Sequence, residues 1–169
     1  MISLPKEFFH KFYSKKKFSK SKKIFAKDCK ENNCKIIDLP KNYIFLNGDE
    51  IEKCLSGVLN KSADRIIIPE EADEDNKIDI IVCELSKGTK SRDEVKDKII
   101  NTSEHIVCVV NNKSDFEIKS FKCFYIGNYE EMDLALVKKK TPTINVRGLN
   151  IYNILIDNYQ CGVSFNDLN

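Results

Sequence analysis

The sequence contains little glycine or proline and no long apolar run. Its 169 residues include 6 Gly and 4 Pro, which excludes a collagen and a Pro/Gly-rich low-complexity chain. With 41% hydrophobic and 32% charged residues, the composition is not that of a fully disordered protein. The longest apolar run, residues 78–85, is interrupted by two acids and is far shorter than the ~20 residues of a membrane-spanning helix. We therefore expect a soluble globular protein with no membrane span.

Several sequence motifs are also missing. His10 and His105 are the only histidines, and neither has a partner at ligand spacing, so a histidine metal site or a Ser-His-Asp relay is not indicated. Neither G-x-x-x-x-G-K-[ST] nor G-x-G-x-x-G occurs, so no motif supports a nucleotide-dependent function. The first residues lack the apolar segment of a secretory signal, and we expect a cytoplasmic protein.

Cysteine, in contrast, is plentiful. The seven cysteines are an odd number, and without a secretory signal we do not expect a disulfide framework. Cys83 and Cys108 lie in Ile/Val runs, which predicts that they are buried as small apolar residues. Cys29 and Cys34 form a single C-x4-C pair, for which a metal clip completed by a further cysteine or a histidine is the alternative to packing.

Positive charge is concentrated at the N terminus. Residues 1–30 contain ten lysines and two acids, a net charge of +8, whereas the whole chain carries +2. We therefore predict a basic, Lys/Phe-rich N-terminal arm over residues 1–35 that binds a polyanion, either nucleic acid or anionic lipid, with a solvated tail as the alternative. Phe8 and Phe12 fit one face of a short amphipathic helix. The residues assigned to nucleic-acid binding are Lys15, Lys16, Lys17, Lys20, Lys22 and Lys23.

Residues 36–169 are predicted to form a single mixed α/β (or α+β) domain. Alternating or β-branched runs predict strands over residues 43–46, 63–68, 78–85 and 121–126, with shorter candidates over 134–137 and 144–146. Helical spacing predicts helices over residues 50–59, from Ser91 onward and over 149–156, where helix is slightly favoured over strand. Ser91 and Glu94 form a capping box, but the residues after 106 fit a helix or a strand equally well.

Two carboxylates stand where a half-buried strand does not require them. Asp64 opens one predicted strand and Glu84 lies near the end of the next. A β-hairpin would bring the two strands side by side, so we expect both acids at one rim of the sheet. Two carboxylates suit Mg²⁺, which can activate water against a phosphodiester, and a nearby lysine would stabilise the developing charge.

These residues resemble a known family. The run A-D-R-I-I-I, an acidic connection, I-V-C-E-L-S-K-G and a following helix are similar to the small members of the PD-(D/E)xK nuclease superfamily, over about residues 43–127. The helix run V-K-D-K-I-I-N-T is similar to the family's A-x-x-Q-L-x-x-T, with Lys98 at the glutamine position. The resemblance implies a restriction-endonuclease-like central mixed sheet flanked by helices. It also implies Mg²⁺ (or Mn²⁺) at Asp64, Glu84 and Leu85, and a homodimer by analogy.

The chain departs from the family at the lysine of E-x-K. Here the lysine is Lys87, one position later, and in a straight strand that step directs the side chain to the opposite face. Either a bulge at residues 86–88 turns Lys87 back, or Lys98 supplies the ammonium group from the helix. Glu52, on the preceding predicted helix, is a candidate third acid.

The sequence thus favours a metal-dependent nuclease acting on DNA or another nucleic acid, with Asp64, Glu84, Lys87 and Lys98 as catalytic candidates. The first alternative is a catalytically inactive, nuclease-fold subunit that binds nucleic acid or assembles a complex, and the second is a protein- or membrane-interaction module. The less specific interpretation of the acids is structural: Asp64 begins a strand, and Glu84 faces solvent beside Lys87 or Arg65.

Overall fold

The computed structural model describes residues 4–15, 24–31, 33–54, 61–129, 144–146, 149–157 and 162–168. The helices are α1 (Pro5–Lys15), α2 (Gly48–Cys54), α3 (Arg92–Asn111) and a final 3-10 turn (Phe165–Leu168). The strands are β1 (Cys29–Glu31), β2 (Cys34–Ile37), β3 (Tyr43–Asn47), β4 (Arg65–Pro69), β5 (Lys77–Lys90), β6 (Glu117–Tyr129), β7 (Ile144–Val146), β8 (Leu149–Asp157) and β9 (Val163–Ser164).

Two mixed sheets and the helices around them form the described part of the chain, which confirms the predicted mixed fold class. The large sheet has the order β3-β4-β5-β6-β8-β7. Its first three strands are antiparallel neighbours, β6 runs parallel to β5 and to β8, and β7 is antiparallel to β8. The small sheet has the order β1-β2-β9 and also mixes antiparallel and parallel pairs.

The predicted hairpin of β4 and β5 is confirmed. Its strands pair in the antiparallel direction, with Ile66 opposite Val82. The connection turns at Asn76, whose φ of 62° is a left-handed conformation that asparagine tolerates better than most residues. Asp73 Oδ1 accepts a hydrogen bond from the Lys77 backbone N–H at 2.7 Å, which fixes the start of β5.

Helix α3 forms the crossover between the parallel strands β5 and β6. Ser91 caps its N terminus by accepting a hydrogen bond from the Glu94 N–H at 3.2 Å, as the capping box predicts. The helix continues without a break to Asn111, so residues 107–110 are helical rather than a strand. A parallel strand pair requires a crossover connection such as this helix, because a short turn cannot carry the chain back to the end of the sheet at which β5 began.

The large sheet has a hydrophobic core on each face. One core lies under α1, α2 and α3 and contains the β5 residues Ile78, Ile80 and Val82. The other lies under the small sheet and contains Ile81 and Cys83. The strand alternates between the two faces, as a strand buried on both sides must. This places Glu84 on the helix-covered face.

The N-terminal helix is part of the first core. Phe8, Phe9 and Tyr13 are buried there, which agrees with the predicted amphipathic helix, and Lys6 forms an ion pair with Glu70 at 2.8 Å. The residues after the lysine-rich run also pack on the domain, because Phe25 bridges to Leu46 of β3. The basic arm predicted over residues 1–35 therefore includes segments that contact the large sheet.

One element differs from its prediction. The spacing of residues 149–156 favours a helix slightly over a strand, but they belong to strand β8, which pairs with β6 and β7. Their apolar pattern fits a helix or a strand equally well, and pairing between distant strands decides the outcome. Residues 55–59 of the predicted second helix and the candidate strand over 134–137 lie outside the described residues. Among the helices described, none is both long and apolar enough to cross a membrane.

Candidate active site

Asp64 and Glu84 meet on adjacent antiparallel strands of the large sheet. Arg65 is paired with Cys83, and continuing this register by one step sets Asp64 opposite Glu84. The Leu85 N–H donates a hydrogen bond of 2.7 Å to Asp64 Oδ2, which fixes that carboxylate against β5. Both acids are buried, with 5% of Asp64 and none of Glu84 exposed. Burial of two carboxylates side by side is costly unless cations compensate their charge.

Two lysines supply positive charge at the same point. Lys98 Nζ lies 2.7 Å from Glu84 Oε1, and Lys90 Nζ is hydrogen-bonded to the same oxygen. Among the residues that the structure describes, none donates a hydrogen bond to the buried Glu84 Oε2. We refer to Asp64, Glu84, Lys90 and Lys98 as the carboxylate–lysine cluster. With both acids ionised, its two negative charges balance its two positive charges, and Glu84 Oε2 has no hydrogen-bond partner among the described residues.

The electrostatics of the cluster follow from burial and proximity. Burial, reinforced by the charge of Glu84, raises the pKa of Asp64 to about 7, although the Leu85 N–H and the two lysines act in the opposite direction. Burial by itself would lower the pKa of Lys98. The hydrogen bond and the charge of Glu84 outweigh that effect, and the pKa of Lys98 is raised. Lys98 is therefore a permanently charged ammonium group at neutral pH.

Backbone and side-chain contacts hold Asp64 in place relative to Lys98. Thr102 Oγ1 accepts a hydrogen bond from the Ala63 N–H at 2.8 Å and donates one to the Lys98 carbonyl at 2.8 Å. On the other side, the Gly48 N–H donates to the Asp64 carbonyl at 3.0 Å. A Cβ at Gly48 would lie 1.6 Å from the Ala63 carbonyl oxygen, so this close approach requires glycine.

A bulge in β5 delivers Lys90 to the cluster. Leu85 pairs with Ile126 and Thr89 pairs with Asn128, so three residues of β5 face a single residue of β6. At about 3.3 Å per residue, the two extra residues shorten the path from Glu84 to Lys90 by about 7 Å. The even number of extra residues also keeps Lys90 on the same face of the sheet as Glu84.

The bulge predicted at residues 86–88 is therefore present, but it does not bring Lys87 to the acids. Lys87 is exposed, and the ammonium groups on Glu84 belong to Lys90 and Lys98. The interpretation of Glu84 as a solvent-facing residue beside Lys87 or Arg65 is also wrong, because Glu84 is fully buried. Arg65 points to the other face and donates hydrogen bonds of 2.7 Å to the carbonyls of Asp64 and Lys30.

Two further predicted site residues have other positions or roles. Glu52 lies on α2, where its Oε2 accepts hydrogen bonds from the Ser62 N–H at 3.0 Å and from the Ser62 hydroxyl at 3.2 Å. Glu52 thus supports the segment before Asp64. These hydrogen bonds bring it to Ser62 and not to Asp64 or Glu84, so they do not support a role as third acid. Leu85 places its side chain in the core under the small sheet, so only its backbone carbonyl offers an oxygen to a metal.

Sequence reasoning missed Lys90 and the bridging role of Thr102. Thr102 occupies the threonine position of the helix run that resembles the family, so its position was visible but its contacts were not. Lys90 lies six residues from Glu84, a separation that a straight strand would make too long for contact. No local signal gives the size of the bulge.

The chain was compared with protein-family models, with curated proteins and with solved structures. It matches none of them.

The donor set is compatible with a hard divalent cation bound by few protein ligands. Within the described residues, no group of three or more His, Cys, Asp or Glu side chains is placed to hold a metal. Mg²⁺ nevertheless commonly binds one or two carboxylates and completes its shell with water and substrate phosphate. The unpartnered, fully buried Glu84 Oε2 beside Asp64 provides this kind of ligand pair. The residues present thus fit Mg²⁺ or Mn²⁺.

The remaining candidate sites are of two kinds. Cys29 and Cys34 are buried in the core under the small sheet, and the Cys34 thiol donates a hydrogen bond to the Ser86 carbonyl at 3.2 Å. Burial raises the pKa of Cys29 to about 12, as expected for a packed and unreactive thiol.

Of the lysines assigned to nucleic-acid binding, five lie outside the described residues, and Lys15 is described only as the last residue of α1.

Proposed function

We propose that this protein is a metal-dependent nuclease that hydrolyses phosphodiester bonds of DNA or another nucleic acid. The fully buried Glu84, with one oxygen unpartnered and Asp64 beside it, carries this proposal. An acid pair of this kind, accompanied by two lysine ammonium groups, suits a divalent cation and a phosphate better than it suits a purely structural role. Glu50 Oε2 is also buried without a partner in the described part of the chain, but Glu84 differs from Glu50 in being fully buried, in holding two ammonium groups and in lying opposite a second buried acid.

The roles follow from the contacts. Asp64 and Glu84 would hold Mg²⁺ or Mn²⁺, together with the Leu85 backbone carbonyl, and a bound ion would supply activation of water and neutralisation of phosphate charge. Lys98 holds Glu84 Oε1 at 2.7 Å and is the ammonium group that we assign to stabilising charge on the scissile phosphate. Thr102 and Gly48 are positioning residues, because they fix the backbone at Asp64.

Membership of the PD-(D/E)xK superfamily is part of the same proposal. The resemblance requires an acid at the start of one strand, a second acid in the next strand and a helix that follows. In the fold, Asp64 directly precedes β4, Glu84 lies in β5, and α3 follows with Lys98 facing the acids. In this proposal Lys98, on the helix, takes the role of the displaced lysine of the motif, and its contact with Glu84 supports that assignment.

The partner and the location belong to the proposal too. We infer that nucleic acid is bound with help from the lysine-rich residues 15–23, since ten lysines in the first thirty residues favour phosphate contacts. The cysteines whose side chains are described are thiols, which is consistent with the cytoplasm as the proposed location. A homodimer is proposed by analogy with the superfamily.

The decisive experiment is a cleavage assay with single-stranded, duplex and branched DNA and with RNA, in Mg²⁺, in Mn²⁺ and in EDTA. We expect cleavage that requires the metal and that falls by roughly 100-fold or more in Asp64→Asn, Glu84→Gln and Lys98→Met. Circular dichroism and thermal unfolding establish that each variant is folded.

Matched controls separate the cluster from general charge effects. Lys87→Met removes an exposed lysine close to the cluster in sequence, and Glu71→Gln removes an exposed acid outside it, so both should cleave at the rate of the unmodified protein. If Lys87→Met abolished cleavage while Lys98→Met did not, the assignment of the ammonium group would be wrong. Failure of every substrate and metal would remove the enzymatic function.

A binding subunit without catalysis is the second candidate. It is favoured by one observation, namely that the two lysines already neutralise the two acids within the cluster. It predicts salt-sensitive binding of nucleic acid that is unchanged in Glu84→Gln, together with absence of cleavage. Fluorescence anisotropy with a labelled oligonucleotide, in the presence of EDTA, tests this alternative.

A further inference from the structure

Lys90 has no counterpart in the E-x-K motif and requires its own explanation. Glu84 receives two ammonium groups on a single oxygen, while its second oxygen has no partner among the described residues. The two ammonium groups offset the charges of the two buried acids, Asp64 and Glu84. Both are nevertheless placed on the same oxygen of Glu84, and this placement is the feature to be explained.

The two lysines reach Glu84 from different elements and have different second partners. Lys98 lies within α3, one turn before Thr102, whose hydrogen bonds tie that turn to the segment containing Asp64. Lys90 is the last residue of β5 and follows the bulge. Its Nζ also lies 3.8 Å from Glu94 Oε1, and the Glu94 side chain is 41% exposed. Lys90 thus stands between a buried carboxylate and one that faces solvent.

We propose that Lys90 is a displaceable latch on Glu84, whose ammonium group moves from Glu84 to Glu94 when the acid pair takes up a divalent cation. The inference rests on the proposed metal site and deepens it. A divalent cation would add two positive charges to a cluster that is already neutral, and like charges at close range repel strongly in a buried site. Moving Lys90 outward relieves this repulsion, and Glu94 receives the ammonium group without a new desolvation cost.

The latch makes Lys90 a competitor of the metal, so its removal should tighten metal binding. We expect Lys90→Met to lower the dissociation constant for Mn²⁺ by about tenfold in the absence of nucleic acid. Glu94→Gln removes the outer partner of Lys90 and should raise the dissociation constant by about threefold. Isothermal titration calorimetry with MnCl₂ and the full chain measures both quantities.

A double-mutant cycle separates the latch from a general effect of charge. If Glu94 acts by receiving Lys90, the effect of Glu94→Gln should disappear in the Lys90→Met background and persist in the Lys98→Met background. Asp93→Asn is the matched control, because Asp93 is an exposed acid in the same first turn of α3. It should leave Mn²⁺ affinity within twofold of the unmodified protein.

The outcomes distinguish the latch from the metal site beneath it. Mn²⁺ binding that is equally tight with and without Lys90, and that needs Asp64 and Glu84, would overturn the latch and leave the metal site standing. An equal effect of Glu94→Gln in both lysine backgrounds would also overturn the latch. Absence of Mn²⁺ binding in the unmodified protein, in Lys90→Met and in the Lys90→Met/Lys98→Met variant would overturn both proposals.

Discussion

Glu84 shows how one residue can mark a site. It is completely buried, it accepts two ammonium groups on Oε1, and Oε2 has no partner among the described residues. Charged groups are rarely buried in this way unless they are paired and hydrogen-bonded, and an unsatisfied oxygen adds a further cost. The cost is understandable if the oxygen is kept available for a ligand. Asp64 shares this cost because its charge lies next to that of Glu84.

The raised pKa of Asp64 predicts how stability depends on pH in the metal-free protein. The pKa is about 7 in the folded state, against about 4 in an unfolded chain, so between these values the folded state binds the extra proton. Stability contributed by this group is therefore present at low pH and lost as the pH rises toward 7. In EDTA, raising the pH from 5 to 8 should lower the free energy of unfolding more in the unmodified protein than in Asp64→Asn. We expect the difference to be on the order of a few kcal/mol.

Urea titrations between pH 5 and pH 8 measure this difference directly. The comparison with Asp64→Asn removes the contribution of other titrating groups, since an amide of the same shape can still accept the hydrogen bond from Leu85. Parallel pH profiles for the two proteins would show that the carboxyl group is not perturbed by burial and by Glu84.

At the scale of elements, the bulge in β5 determines which lysine reaches the acids. It is held from β6, where the Tyr125 hydroxyl donates a hydrogen bond to the Gly88 carbonyl at 3.2 Å. Gly127 lies opposite the bulge, and a Cβ there would be 2.6 Å from both the Ser86 carbonyl oxygen and the Tyr125 hydroxyl. The bulge therefore depends on a close approach between strands that only glycine allows.

Gly127→Ala should accordingly shift the bulge and destabilise the fold. We expect a loss of about 1–3 kcal/mol in the free energy of unfolding, typical of overpacking, and a loss of Lys90 from its position on Glu84. Gly88→Ala is the control, because its Cβ would lie 3.9 Å from the nearest heavy atom, Ser86 Oγ. Urea unfolding of the two variants should give clearly different midpoints, and equal midpoints would contradict this account of the bulge.

At the scale of the whole molecule, the two faces of the large sheet have different contents. The helix-covered face carries the carboxylate–lysine cluster, and the face under the small sheet carries the buried thiols of Cys29, Cys34 and Cys83. The lysine-rich residues 16–23 lie in sequence between α1 and residues 24–31, both of which pack on the domain.

The lysine-rich segment predicts the salt dependence of nucleic-acid binding. Replacing its lysines with glutamine should weaken binding and make the slope of log K against log salt less negative by up to about 4 units, because fewer counterions are released. The positions are Lys16, Lys17, Lys20, Lys22 and Lys23. The matched control replaces exposed lysines elsewhere, namely Lys35, Lys41, Lys61, Lys87 and Lys119.

Anisotropy titrations of a labelled oligonucleotide at several NaCl concentrations give both slopes. Equal slopes for the two sets of replacements would contradict a special role of the segment. Binding to anionic vesicles in the absence of nucleic-acid binding would instead support the membrane-interaction alternative.

The sequence alone was enough to predict the β4–β5 hairpin, the capped helix α3 and the meeting of Asp64 with Glu84. It also provided Lys98 as the alternative to Lys87. These features follow from alternation, capping and hairpin pairing, which act over short distances along the chain. The tertiary structure decided the rest: the strand character of β8, the burial of Glu84 and the place of Lys90. Each depends on pairing or packing between segments far apart in sequence, which no local pattern encodes.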